Sequence, residues 1–190
     1  MERAVGVIRL FRPINSLMMG FAVIVGALLV ADNAIFAYPL KLSLGLLTGF
    51  TLTGSQMAVN DYYDREIDLI NEPRRPIPSG LVKPYEAVYY ASILGFIGLT
   101  AALLTNITCF IVAVISYLIS LGYVTEGKRT GFPGNLMVST CIAVPFLYGA
   151  LAIGAEVEPI LLVFMAMVFL SNTGREVTKG IVDVVGDRSR

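Results

Sequence analysis

The sequence predicts an all-α fold, a polytopic bundle of transmembrane helices, and three observations carry that expectation. Of the 190 residues, 56% are apolar and only 15% are charged, against about 45–50% and about 25% in a soluble domain. Uncharged runs between residues 13 and 174 are long enough to cross a bilayer, which takes roughly 17–25 residues per helix. The basic residues gather almost wholly in alternate loops.

The spans follow in order. Arg12-Pro13 leads into the first, about Ile14 to Ala31. Arg3, Arg9 and Arg12 precede it as they would a signal peptide, but its apolar stretch exceeds the roughly 7–15 residues of a signal core, and further spans follow. The second runs from about Leu42 to Asn60. Residues 87–125 carry no charge and are too many for one crossing, so Thr105-Asn106-Ile107-Thr108 is read as a hairpin tip between a third and a fourth span. A fifth follows from about Gly134 to Gly154, and a sixth from about Val157 to Gly174. With a cytoplasmic N-terminus, 13 of the 14 Lys and Arg residues lie on the inner side and only Lys41 lies outside. That asymmetry is the positive-inside pattern. It predicts a multi-pass protein of the cell membrane with both termini cytoplasmic.

Composition removes several functions. No His is present, so imidazole-based triads and His-ligated zinc or haem are excluded. Cys109 and Cys141 each sit inside an apolar run, as buried thiols do and disulfide frameworks do not. A net charge of zero gives no sign of a nucleic-acid partner. No Asp, Glu, Lys or Arg falls in the middle of a span, where an ion-coupled transporter places its ion site. The polar chemistry is at the inner helix ends.

Two acidic clusters stand there. In Asn60-Asp61-Tyr62-Tyr63-Asp64-Arg65-Glu66-Ile67-Asp68 the aspartates are spaced three and four apart, so on a helix they share one face. Like charges so placed repel unless a cation joins them. Oxygen ligands of this kind suit Mg²⁺, which shares substrate phosphates and keeps waters. Asn60, a turn before Asp64, adds an amide oxygen, while Arg65 and Glu66 read as solvated charges. Asp183 and Asp187, four apart after the sixth span, form the second pair. Facing carboxylate sets of this sort hold metals around a departing diphosphate; an isolated acidic pair at a helix end is equally a solvated one. Between the clusters, Pro73-Arg74-Arg75-Pro76-Ile77-Pro78-Ser79-Gly80 predicts a rigid turn. It presents Arg75, whose guanidinium suits phosphate oxygens. Lys128-Arg129 in the next inner loop reads equally as a phosphate contact or a membrane anchor.

Asn60-Asp61-x-x-Asp64-x-x-x-Asp68, the Arg75-Pro76-Ile77 turn ending in Ser79-Gly80, and Asp183-x-x-x-Asp187 together resemble the UbiA superfamily of intramembrane prenyltransferases. Tyr123, Lys128-Arg129 and Gly134-Asn135 resemble its second cytoplasmic loop. The resemblance implies a helical bundle around a lipid-facing cavity, and Mg²⁺-dependent transfer of a prenyl group from its diphosphate with release of pyrophosphate. It assigns Asn60, Asp61, Asp64 and Asp68 to one Mg²⁺–diphosphate site and Asp183 and Asp187 to a second. Arg75 and Lys128 become diphosphate contacts. Arg9, Asn15, Tyr123 and Lys179 complete the substrate contacts, with Arg9 or Lys179 meeting an acceptor phosphate. Asp64, Asp68 and Lys128 are the catalytic candidates, Asp68 as the base. Tyr62, Tyr63 and Tyr123 would shield an allylic cation or anchor the membrane interface.

Within the superfamily, Arg9-x-x-Arg12-Pro13-x-Asn15 with Met18-Met19-Gly20, and Arg175-Glu176-Val177-Thr178-Lys179-Gly180-Ile181-Val182-Asp183, resemble the archaeal ether-lipid branch. That branch joins geranylgeranyl diphosphate to geranylgeranylglyceryl phosphate. The Asn71–Gly80 stretch also resembles the branch that prenylates chlorins, and aromatic quinone precursors are a third class of acceptor. Gly180 stands where many relatives carry an Asp. The family bundle has about nine helices, so six spans correspond to the N-terminal two-thirds of one domain over residues 1–190. Further C-terminal helices or a partner are expected to close it. A silent module that binds diphosphate without turnover is the alternative.

Overall fold

A computed structural model describes residues 2–188, with the side chains of residues 2, 32–34 and 181–188 left outside the description. The helices are α1 (Glu2–Leu10), α2 (Pro13–Ala31), α3 (Pro39–Asn71), α4 (Pro84–Thr105), α5 (Ile107–Thr125), α6 (Phe132–Ile153) and α7 (Pro159–Arg188). Short 3₁₀ turns occupy Asp32–Ala37 and Gly127–Thr130, and no strand occurs among the described residues. Proline opens α2, α3, α4 and α7, at the one position where its missing N–H leaves no helical bond unmade.

The hairpin tip falls at Asn106. This residue is extended, accepts a hydrogen bond from the Cys109 N–H (2.8 Å) and donates one to the Leu151 carbonyl (2.9 Å). It therefore caps α5 and ties the tip to the end of α6. That end is closed by Gly154 in the left-handed conformation (φ 75°), which glycine adopts without steric cost. Cys109 and Cys141 are free thiols.

Five stretches are long and apolar enough to cross a membrane: Arg3–Ala31, α4, α5, α6 and Pro159–Gly180 of α7. The remaining expected span, Leu42–Asn60, lies within α3 but is less apolar, because Thr48, Thr51, Thr53, Ser55 and Gln56 interrupt it. It tolerates them by its position, packed against α2, α4, α5 and α6. Thr48 and Thr51 hydroxyls donate to the Leu44 (2.9 Å) and Leu47 (2.7 Å) carbonyls, and Ser55 donates across to the Ala91 carbonyl of α4 (2.7 Å). Satisfied in this way, the hydroxyls carry no desolvation penalty.

Glycine lets α2 and α6 meet backbone to backbone. A methyl group at Gly149 would stand 1.9 Å from the Val23 carbonyl oxygen, and one at Gly26 2.0 Å from that of Phe146. Small residues at crossings are the usual device for helix association in lipid. Between α2, α3, α5 and α6 the bundle holds an open cavity whose walls include Met19, Leu52, Gln56, Tyr117, Pro145 and Tyr148. Pro145 stands inside α6, where its ring removes the hydrogen bond that the Cys141 carbonyl would accept.

Candidate active site

Alternate helix ends bring the charged segments to one end of the bundle. α3 continues past its apolar stretch to Asn71, so Asp61, Asp64 and Asp68 stand on a rigid helix and not on a loop. Each carboxylate meets a cation from a different part of the chain. Arg12, at the joint of α1 and α2, donates from Nη2 to Asp61 Oδ1 at 2.7 Å. Arg75 donates from Nη1 to Asp68 Oδ2 at 2.6 Å and stands 3.6 Å from Asp61 Oδ1. Lys128 Nζ donates to both Asp64 oxygens at 2.7 Å, and Asn60 Nδ2 adds a bond to Asp64 Oδ2 at 2.9 Å. Repulsion along the aspartate row is thus cancelled charge for charge.

The cations are held by their own local structure. In the 72–83 loop the Ser79 N–H donates to the Arg75 carbonyl and the Val82 N–H to the Pro76 carbonyl, both at 3.0 Å. Ile77 and Val82 are buried against Leu10 of α1 and Ala58 and Ala87. This packing fixes the backbone from which Arg75 reaches. Lys128 sits in the 3₁₀ turn, where a methyl at Gly134 would lie 2.2 Å from the Gly127 carbonyl oxygen, so the turn is pressed on the start of α6. Arg12 is the one non-glycine residue in the left-handed region among those described (φ 45°), a conformation that costs a side-chain-bearing residue energy.

Asp61 is the most enclosed of these groups, its side chain only 2% exposed. Burial raises its pKa above the ordinary carboxylate value, opposed by the charges of Arg12 and Arg75. Glu86, at the start of α4, is bonded at both of its oxygens. The Lys83 N–H donates to its Oε2 at 2.9 Å, and Arg3 donates to its other oxygen.

The sequence pattern of the UbiA prenyltransferase family matches residues 19–190. The chain belongs to the UbiA prenyltransferase family. It is 32% identical over 189 residues to a digeranylgeranylglyceryl phosphate synthase of Natronomonas pharaonis, covering 100% of this chain and 67% of that protein. With the same-named protein of Methanosarcina barkeri it shares 37% over 191 residues, covering 95% and 66%. The chain therefore spans about two thirds of the length of these relatives. A solved structure described as that of digeranylgeranylglyceryl phosphate synthase in membranes superposes with a TM-score of 0.87 at 31% identity, over 100% of this chain and 67% of the other. A UbiA homolog from Archaeoglobus fulgidus bound to GPP and Mg²⁺ superposes at 0.76 with 21% identity, over 96% and 65%; that likeness is one of fold.

In this UbiA chain the expected site residues divide into four groups. Asn60, Asp61, Asp64, Asp68, Arg75 and Lys128 come together as described. Arg9 ends α1 exposed, Asn15 is exposed on the first turn of α2, and Lys179 is exposed on α7. Tyr123 is half-buried and packs on Gly127, which begins the Lys128 turn. Asp183 and Asp187 lie in the part of α7 whose side chains are outside the described residues. Tyr62 is covered by the Arg65 guanidinium, 4.6 Å from its ring centroid, and packs in the cluster beneath α1. Among the described residues no three carboxylates or thiols converge as a metal cage, because each aspartate is drawn to its own cation.

Sequence reasoning passed over two residues. Arg12 entered it as a flanking charge, yet it is the principal partner of Asp61; its place before the first proline was the available signal. Gln56 left none beyond its polarity in an apolar run.

Proposed function

We propose that the chain carries the prenyl-diphosphate site of an archaeal ether-lipid enzyme. This enzyme transfers geranylgeranyl from geranylgeranyl diphosphate to the hydroxyl of geranylgeranylglyceryl phosphate and releases pyrophosphate. The observation that carries the reading is the row Asn60, Asp61, Asp64 and Asp68, paired with Arg12, Arg75 and Lys128, next along α3 from a cavity with largely apolar walls. The relatives' shared name supplies the acceptor. The distribution of basic residues supports a cytoplasmic face for this end.

Asn60, Asp61, Asp64 and Asp68 suit Mg²⁺ by donor type, all hard oxygen. A set that forms no closed cage fits an ion bound through one or two carboxylates and substrate phosphates. Bound there, the metal supplies positive charge to the phosphate oxygens of the leaving group. Arg75 and Lys128 are already aimed at oxyanions and exchange a carboxylate partner for a diphosphate oxygen. The C1–O bond to diphosphate breaks with its electron pair leaving on pyrophosphate. The acceptor oxygen bonds C1, and its proton passes to a carboxylate of the row. Asp68 is the base the motif suggests, and Asp64 stands one helical turn nearer the cavity. Asp183 and Asp187 are assigned the second metal position, and Arg9 or Lys179 the acceptor phosphate.

Membranes carrying the chain, given both substrates and Mg²⁺, test this by diether and pyrophosphate formation. Product that requires Mg²⁺ and is lost in Asp64→Ala supports the assignment. Product with a chlorin or aromatic acceptor instead would replace the acceptor. No product with any acceptor, while Mg²⁺-dependent diphosphate binding persists, would make the chain a binding module.

A further inference from the structure

We propose that Gln56 holds the acceptor hydroxyl beside the reacting carbon and so selects an alcohol as acceptor; the inference rests on the prenyl-transfer reading above. Residues four apart on a helix stand in one row, and Gln56, Asn60 and Asp64 are such a row on α3. The Asn60 Nδ2 to Asp64 Oδ2 bond of 2.9 Å shows that side chains along it meet. Gln56 lies one turn, about 6 Å, deeper than Asn60 and lines the cavity with Met19 and Tyr117. Of the cavity's polar residues on α3 it is the nearest to Asn60.

Of the wall's other polar side chains, Thr48, Tyr117 and Tyr148 are already engaged, while Thr53 and Ser116 line it with short hydroxyls. The Ser55 and Tyr117 hydroxyls are 2.8 Å apart, and Ser55 also donates to the Ala91 carbonyl. The single Tyr148 hydroxyl hydrogen is shared between Thr48 Oγ1 at 3.3 Å and Thr105 Oγ1 at 3.4 Å. The Gln56 side chain is half-buried and forms no hydrogen bond with a described residue. An amide in largely apolar surroundings, next in line to the acidic row, is placed for a ligand's polar group and not for its chain.

Direction completes the argument. A diphosphate held on the row would set its C1 at the adjoining end of the cavity, beside Gln56, where an oriented hydroxyl can reach both C1 and the row. The Gln56 Nε2 donates a hydrogen bond to the hydroxyl oxygen, which leaves one lone pair of that oxygen free for C1 and its hydrogen free for a carboxylate of the row. The hydroxyl proton leaves to a carboxylate of the row as the new C–O bond forms and pyrophosphate departs. A neutral amide orients the hydroxyl and takes no proton.

The test is binding of geranylgeranylglyceryl phosphate and of its deoxy analogue to the chain in nanodiscs, with Mg²⁺ and a non-hydrolysable thio-analogue of geranylgeranyl diphosphate present. Wild type is expected to prefer the hydroxylated acceptor by about five- to tenfold, the worth of one hydrogen bond. Gln56→Leu is expected to bring that ratio to near one while the thio-analogue binds as before, which also shows that the variant is folded. Gln56→Met serves as the second variant. An unchanged ratio in either folded variant overturns the inference and leaves the transfer reading standing. Wild type that binds the thio-analogue but neither acceptor overturns the acceptor assignment, and this inference with it.

Discussion

Removing Arg12 isolates the energetics of the acidic face. Asp61 is 2% exposed and its nearest cation is Arg12 at 2.7 Å; Arg75 is next at 3.6 Å. Breaking a buried ion pair from one side costs about 3–5 kcal/mol, because a charge is left without a partner. Arg12 is itself 32% exposed, and Arg75 remains, so the cost of Arg12→Ala is expected at about 2 kcal/mol, below that range. For a chain of this size that lowers the unfolding midpoint by about 4–8 °C, measured in detergent micelles. Adding Asp61→Asn removes the stranded charge and should recover most of the loss. The pH dependence has a definite sign. Burial raises Asp61 above its ordinary value of 3.8, so the native state holds a proton that the unfolded chain releases. The Arg12→Ala deficit should therefore be small below pH 3.8, where Asp61 is neutral in both states, and widen as pH rises. A deficit no larger than that of Arg175→Ala, whose side chain is 72% exposed, would refute the reasoning. So would failure of Asp61→Asn to rescue.

Further outcomes follow from the same geometry. Lys128→Ala should weaken binding of a non-hydrolysable prenyl diphosphate with Mg²⁺ by about ten- to a hundredfold, the worth of a charged hydrogen bond; calorimetric titration in nanodiscs reads it. Gly149→Ala should cost about 1–3 kcal/mol, since its methyl falls 1.9 Å from a backbone oxygen. Gly174→Ala, in a helix with nothing within 4 Å, should gain up to about 1 kcal/mol, so thermal midpoints move in opposite directions. Glu86→Gln should lower the midpoint at neutral pH. It weakens the bonds that the Lys83 N–H and Arg3 make to this side chain.

The features legible in the sequence were those fixed by local rules. A charge-free stretch too long for one crossing had to turn, and Asn106 turns it because its side chain can cap the helix that follows. Aspartates three and four apart had to share a face once α3 was helical there. The end of α3 was not legible: charge at Asp61 marks where the chain leaves apolar surroundings, but the helix runs on to Asn71 because Asp-Arg-Glu-Ile-Asp-Leu-Ile holds nothing that breaks one. Nor was the Arg12–Asp61 pair, which spans 49 residues and depends on the left-handed bend between α1 and α2. α1 itself is a nine-residue helix, too short to announce itself, and it is held by burial of Leu10 against the loop that carries Arg75.

Gln56 was hidden for a reason that bears on the whole site. A helix with neighbours on every side shows no one-sided apolar pattern, so the face of α3 that meets the cavity cannot be told from the faces that meet α2 and α4. The same enclosure gives α3 its chemical freedom. Lipid-facing helices must be apolar because each unsatisfied polar group in hydrocarbon costs several kcal/mol, and α4 and α5 comply. α3 is shielded, so it carries hydroxyls that bond across to α4, an amide in the cavity, and three carboxylates at its charged end. The helix least able to cross a membrane alone is the one whose side chains build the candidate site, and the more apolar helices around it make that composition stable.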